Sequence, residues 1–257
     1  MDLRIMTYNV RNDCDAPPNS WEERKGLMRD LIIRESPDLI GTQECKFNQV
    51  QDLDHLLEDY NWIGLGREGG SKSEFMAIFY KKSRFDVLEY DHFWLSDTPN
   101  VIASSTWGND CTRMATWVRF LDNETNQSFY HLNTHLDHIS EVARVKGAEL
   151  IVKHAKAFES SVPIFITGDF NTLAETDTHQ AFLIKGNFMD TWSNSSERMN
   201  EELGSFNNFN DPTGGEGRID WILYRGDVKV GTLKIVNDQV DGRFPSDHFP
   251  IVVDFEV

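Results

Sequence analysis

The chain has 257 residues, is 39% hydrophobic, and carries a formal net charge of −17 with a pI near 4.8. Its length and apolar fraction allow a large buried core, and no stretch reaches the roughly 18 uninterrupted apolar residues of a membrane span. So acidic a field repels a long polyphosphate backbone unless a bound divalent cation inverts it locally, which favours a small or short phosphorylated substrate over duplex DNA.

The first strand-like run, Leu3-Arg4-Ile5-Met6, begins at once, without a basic leader or signal-type apolar stretch, so the expected location is cytoplasmic. Cys14, Cys45 and Cys111 form neither a CxxC nor a zinc spacing and read as reduced thiols. Ser20-Trp21-Glu22-Glu23 has capping-box spacing. It opens a helix with Leu27, Met28, Leu31 and Ile32 on one face, which must end by Ser36, before Pro37. Asp38 to Glu44 reads as a strand and Asn48 to Asp59 as a second helix. Strands are expected at Trp62–Leu65, Phe75–Tyr80 and Phe85–Phe93. A hairpin pairs Met114–Leu121 with Ser128–Thr134 around the turn Asp122-Asn123-Glu124-Thr125-Asn126. Glu141 to Phe158 is the longest expected helix, and the run from Val162 to Thr167 is a buried strand. A short helix near Asp177–Ile184 and a polar segment, Ser193 to Gly217, precede strands at Ile219–Tyr224, Val228–Val236 and Ile251–Val257.

No linker or internal repeat divides residues 1–257, so one domain is expected. Long strand pairs with few helices between them imply an α/β fold of two stacked mixed sheets with helices outside. A doubly wound parallel sheet would need a regular strand–helix alternation that Trp62 to Thr134 lacks.

Polar groups collect where these apolar runs stop. Gly168-Asp169-Phe170-Asn171 places an acid and an amide two positions apart, hence on one side of an extended backbone. Thr7-Tyr8-Asn9, Gln43-Glu44, Asn133-Thr134-His135, Arg218-Ile219-Asp220 and Ser246-Asp247-His248 do likewise. Glu44 in oxygen-rich company suits a hard cation such as Mg²⁺, which takes one or two protein carboxylates and keeps its waters. Asn9 is either a turn residue or an amide orienting a carboxylate or a metal-bound water. His135 and His248 are the histidines suited to proton handling, and Asp220 could fix an imidazole's tautomer. His138 is a candidate cleft residue. Arg113 offers a planar fork for phosphate. His55, His154 and His179 are expected at the surface, with His92 and His131 structural.

These motifs, in this order from Leu3 to Val257, resemble the endonuclease/exonuclease/phosphatase superfamily, whose DNase I-like fold is a four-layer α/β/β/α sandwich. The resemblance implies a Mg²⁺-dependent hydrolase of phosphate esters (Mn²⁺ substituting), with Glu44 the main metal ligand and Asn9 and Asp247 beside it. It implies that His248, oriented by Asp220, hydrogen-bonds the scissile phosphate. Asp169 would aim or deprotonate the attacking water, while Asn171 steadies phosphoryl oxygens. His135 looks like a second imidazole with Glu74 as its carboxylate partner, and Arg113 like an arginine at the substrate phosphate. Asn207 and Arg218 are candidate substrate contacts. Within the superfamily the chain looks most like small bacterial and fungal proteins that commonly have Thr-Phe-His-Gly-Phe where it has Ser205-Phe206-Asn207-Asn208-Phe209. The favoured substrate is a small phosphorylated metabolite, nucleotide or short oligonucleotide. The alternatives are a nuclease on DNA or RNA and a catalytically silent binding module. No membrane or protein partner is implied.

Overall fold

The first strand decides the layering. In β1 (Asp2–Asn9), Leu3 and Ile5 enter one apolar cluster while Met6 and Tyr8 enter another, the alternation of a strand buried on both faces. The computed structural model describes residues 1–257. After β1 come α1 (Trp21–Glu35), β2 (Leu39–Gln43), α2 (Phe47–Leu56), β3 (Tyr60–Ile63), β4 (Ile78–Lys81) and β5 (Phe85–Trp94). Next are β6 (Met114–Asp122), β7 (Gln127–His135), α3 (Glu141–Ala155), β8 (Ile164–Asp169), α4 (Asp177–Gln180) and a π-helical turn at Ala181–Lys185. The chain ends with β9 (Met189–Asp190), α5 (Thr191–Asn194), β10 (Glu197–Met199), β11 (Asp220–Arg225), β12 (Lys229–Ile235) and β13 (Ile251–Glu256).

Seven strands form one mixed sheet in the order β10-β12-β13-β1-β2-β4-β3, and six form the other in the order β5-β6-β7-β8-β11-β9. β1 runs parallel to β2 and β7 parallel to β8, while most other neighbours are antiparallel. Twenty buried residues fill the space between the sheets. Phe120 of one sheet meets Tyr80 of the other at 5.0 Å between ring centroids, and Phe165 meets Phe255 at 4.8 Å. Such aromatic pairs add about 0.5–1.5 kcal/mol each beyond their burial. α1 and α2 cover the outer face of the seven-stranded sheet through Met28, Leu31, Ile32, Val50 and Leu53. α3 covers the other through Ala148, Ile151, Val152 and Ala155. The result is the expected four-layer α/β/β/α sandwich.

The differences from expectation are local. α1 starts after Ser20, but the Ser20 side chain makes no capping hydrogen bond; the helix closes on Ser36 in the left-handed conformation at φ 46°. α3 stops at Ala155 and equals α1 at 15 residues. β4 begins at Ile78 because Phe75 pairs instead with Cys45 and Gly66 as isolated bridges. The polar segment from Ser193 contains the edge strand β10. His179 is buried against Asp190 and His154 stacks on Phe93 at 3.8 Å, so neither is the free surface group expected.

Candidate active site

Strand register brings the polar ends together. His135 of β7 lies opposite Asp169 of β8, and Asp169 opposite Asp220 of β11, so three adjacent strands of one sheet present imidazole, carboxylate and carboxylate in a row. From the other sheet, Asn9 pairs with Gln43, one residue before Glu44; Asp247 and His248 lie in the loop before β13, with Phe249 and Pro250 between them and the strand. The two half-sites face each other across a cleft of about 490 Å³.

Asn9 is the hub. Its Nδ2 donates to Glu44 Oε1 at 3.0 Å and to Asp169 Oδ2 at 2.9 Å, and stands 3.4 Å from His248 Nε2. Its Oδ1 accepts from the Arg11 backbone N–H at 3.0 Å. Two carboxylate acceptors on one side and an N–H donor on the other fix the amide orientation. Asn9 therefore orients the Glu44 and Asp169 carboxylates with its nitrogen, beside the place where the resemblance puts the cation. Glu44 sits at φ 65°, a left-handed conformation rare outside glycine and common at functional sites. Its Oε2 accepts from the backbone and side-chain nitrogens of Asn12, both at 3.2 Å. Nearest ligand atoms of Glu44, His135 and Asp169 lie within 4.8 Å of one another.

His248 Nδ1 bonds Asp220 Oδ2 at 2.9 Å, and its Nε2 lies 3.7 Å from Asp169 Oδ2. Burial disfavours the imidazolium, but Asp220 and Asp169 outweigh it and push His248 up to about 10. Burial, then Asp220, raise the Asp169 carboxyl into the range of a base at neutral pH. His135 is held well below its ordinary value, by burial first and then by Arg113. It accepts from Asn171 Nδ2 at 2.9 Å through Nε2, so its proton is on Nδ1.

The expected pairing of His135 with Glu74 does not occur. Glu74 binds Arg67 Nη1 at 2.7 Å and accepts from Asn12 at 3.1 Å. A guanidinium outcompetes a neutral imidazole for a carboxylate. Arg113 is 96% buried by its 4% exposure, donates to His138 Nδ1 at 3.1 Å, and leaves Nε and Nη1 without partners at the cleft wall. Asn207, fully buried, donates to the Ser246 carbonyl at 3.1 Å and so braces the Asp247 loop without reaching the cleft. Arg218 pairs with Asp190 at 3.1 Å, stacks over Trp192 at 4.2 Å, and lines a neighbouring cavity. Neither is placed as the expected substrate contact.

Asn12, Arg67 and Arg24 were not foreseen. Arg24, on α1 and 2% exposed, donates to the carbonyls of Asn19, Val10, Arg11 and Pro245 at 2.8–3.0 Å, clamping the segments that carry Asn9 and Asp247. A helical arginine gives no sequence signal of such a role; Asn12, three residues after Asn9, could have been read as a second amide of the same loop. A larger cavity, about 540 Å³, opens at the opposite strand ends, where Arg4–Asp254 and Arg84–Asp38 satisfy one another.

The donor set fits a hard divalent cation. Burial and then Glu44 raise Asp247, opposed first by the His248 charge and then by Arg11, whose Nη1 lies 3.6 Å away. Against burial, Asn9, His248 and Asn12 hold the Glu44 carboxyl below its ordinary value, so it stays anionic beside the raised Asp247, and a cation offsets the charge of both. No helix is long and apolar enough to cross a membrane.

Residues 6–248 match the Endonuclease/Exonuclease/phosphatase family. The fold superposes with a TM-score of 0.94 on a mannosyl-6-phosphatase of Bacteroides thetaiotaomicron, 34% identical over 99% of this chain and 100% of that one. An uncharacterized protein, L388, of Acanthamoeba polyphaga mimivirus is 28% identical over 99% of this chain and its own full length. Nocturnin of Drosophila melanogaster is 24% identical over the whole chain, which spans only 47% of that protein. The chain belongs to the endonuclease/exonuclease/phosphatase family and is a hydrolase of phosphate esters.

Proposed function

We propose that the chain is a divalent-metal-dependent phosphoesterase that releases phosphate from a small phosphorylated metabolite, a sugar monophosphate foremost. The observation that carries this is His248 held charged between Asp220 and Asp169, beside the carboxylates of Glu44 and Asp247. Glu44 and Asp247 would hold a cation such as Mg²⁺ or Mn²⁺, which when bound neutralises phosphate and leaving-oxygen charge. Asp169, a base at neutral pH fixed by Asn9 and by the Asn171 backbone N–H at 2.9 Å, orients and deprotonates the attacking water. His248 and Arg113 donate to the phosphoryl oxygens as charge develops on them, while Asn171 commits both Nδ2 hydrogens to His135 and the Leu136 carbonyl and serves the site through its backbone N–H to Asp169. His135, neutral and hydrogen-bonded to Asn171, holds that amide in place.

The neighbouring cavity carries Glu175, Glu201, Glu202 and Glu216, so a polyanion extending past Leu173 would meet carboxylates. That supports a short substrate over a nucleic acid. The relative described as a mannosyl-6-phosphatase supports a sugar phosphate. The test is a Mg²⁺/Mn²⁺ screen of hexose phosphates, nucleotides, phosphodiesters and short oligonucleotides, with Asp169→Ala as control. Metal-dependent release of phosphate from a sugar phosphate, lost in the control, is expected. Turnover of oligonucleotides alone, or full activity in the control, refutes the reading.

A further inference from the structure

One strand position below the cleft floor, the apolar packing between the sheets gives way to a polar layer. Thr7 precedes Asn9 by two residues, Asn133 precedes His135 by two, and Thr167 precedes Asp169 by two, so each shares a strand face with a site residue. All three, with Gln43 and His131, are fully buried. Asn133 crosses from the six-stranded sheet to the other. Its Nδ2 donates to the Thr42 carbonyl at 2.7 Å and the Ala77 carbonyl at 3.1 Å, and its Oδ1 accepts from Gln43 Nε2 at 2.7 Å. Thr167 Oγ1 lies 3.1 Å from that same Oδ1 and 2.9 Å from His131 Nε2. Gln43 also donates to Thr7 Oγ1 at 3.2 Å. The sheets approach so closely that a Cβ on Gly41 would stand 2.0 Å from Thr167 Oγ1.

We propose that Asn133 and Gln43, bonded to each other across the two sheets, with Thr167 holding the Asn133 amide from within its own sheet, are positioning residues that fix the separation and register of the two half-sites, and so the geometry of the Glu44–Asp169–His248 constellation. The catalytic groups come from both sheets, and apolar side chains alone set their spacing loosely, because dispersion contacts are not directional. Hydrogen bonds between the sheets are directional, and a site tolerates little misplacement. Polar groups buried here carry a desolvation cost that apolar residues would avoid. They are concentrated under the cleft, while the large cluster of twenty apolar residues fills the rest of the space between the sheets. That distribution matches a device for geometry in place of one for stability.

The inference rests on the reading of Glu44 and Asp247 as cation ligands, and its test separates the two. Thr167→Val keeps the β-branched shape and removes the hydroxyl; Thr167→Ser restores it. Mn²⁺ affinity of the folded proteins, followed by electron paramagnetic resonance, is measured beside kcat, KM and Tm. Valine is expected to weaken Mn²⁺ binding and lower kcat, each by roughly 10–100-fold, while serine stays near the parent. Gln43→Met, which removes the direct bond across the sheets to Asn133 Oδ1, supplies the measurement if the valine variant does not fold. A folded valine or methionine variant with parental Mn²⁺ affinity and kcat, whatever its Tm, overturns the proposal. Serine as impaired as valine overturns it also, since packing would then be responsible. Absence of Mn²⁺ binding in the parent overturns the cation reading and this inference with it.

Discussion

Asp220→Asn isolates the charge that sustains His248. Asp220 is 1% exposed and its Oδ2 lies 2.9 Å from His248 Nδ1, so the amide can occupy the same space and accept the same hydrogen bond through its oxygen. Only the negative charge is removed. The rise of His248 from 6.5 to about 10 represents about 5 kcal/mol in favour of the imidazolium, at about 1.4 kcal/mol per pKa unit. Asp220 is the largest of the influences that raise it, opposed by burial, with Asp169 next. Losing it therefore removes the largest support of the imidazolium and lets burial draw the imidazole back toward its ordinary value of 6.5. In the parent, His248 keeps its proton as pH rises toward about 10; in the variant, the charged donor is lost as pH rises through neutrality. We expect kcat at neutral pH to fall by about 10²–10³-fold, the usual cost of one transition-state donor, with partial recovery on acidification. Asp169, freed of a like charge, shifts down at the same time and becomes a weaker base. The assay is kcat against pH for both proteins, with the His248 imidazole followed by NMR. An unchanged alkaline limb, or a kcat within about threefold of the parent, refutes the assignment of Asp220 and His248.

Three other outcomes are expected. Saturating Mg²⁺ should raise Tm, by an amount equivalent to about 2.7 kcal/mol at a hundredfold excess over Kd. Asp247→Asn should abolish most of that rise, because it removes the carboxylate partner of Glu44; an equal rise in both proteins by calorimetry counts against the site. Arg24→Met should destabilise the chain by at least about 3 kcal/mol in urea unfolding, since it orphans four carbonyls, three of them beside the half-site loops; a change under about 1 kcal/mol contradicts the clamp. His131, lowered to about 3 by burial, resists protonation in the folded chain while the unfolded chain takes a proton near 6.5. Its contribution is nil above that pH and costs about 1.4 kcal/mol per unit as pH falls toward about 3. His131→Gln should flatten the loss of stability between about pH 6 and about pH 4, and an unchanged slope argues against a neutral buried imidazole.

How much of this was legible in the chain depended on whether a residue acts through its own strand. Asp169, His135, Asp220, Glu44 and His248 were readable because strand ends with period-two alternation place them without reference to the rest of the fold. The partner of Glu74 was not, because the choice between His135 and Arg67 depends on the loop Gly66–Ser73, which has no periodic signal. Arg218 and Asn207 have the right chemistry and the right neighbours in sequence, yet Asp190 and Trp192 capture the first and the Ser246 carbonyl the second. His179 looked like a surface group in a polar stretch. It is buried because its Nδ1 accepts from the Glu175 backbone and its Nε2 meets Asp190 at 3.1 Å, a pairing across 11 residues that composition does not reveal.

The same charge balance that argued against a nucleic-acid partner also explains how so acidic a chain could bind phosphate. At the cleft, the guanidiniums of Arg11, Arg67 and Arg113 and the His248 imidazolium face the carboxylates of Glu44, Glu74, Asp169 and Asp247. Those charges roughly cancel, so one divalent cation leaves the cleft positive while the molecule as a whole stays at −17. Attraction is then confined to a few ångströms around the reacting phosphorus, while the acidic surface around the cleft repels at low salt through a field that ordinary salt screens over about 8–10 Å. A phosphate monoester fits inside the attractive region. A longer chain running on past Leu173 would bring its further phosphates among Glu175, Glu202 and Glu216. On the proposed function, discrimination by length would need no reading of sequence or base, and raising ionic strength should improve turnover of a short oligonucleotide relative to a sugar phosphate, the reverse of the salt response of a nucleic-acid-binding enzyme.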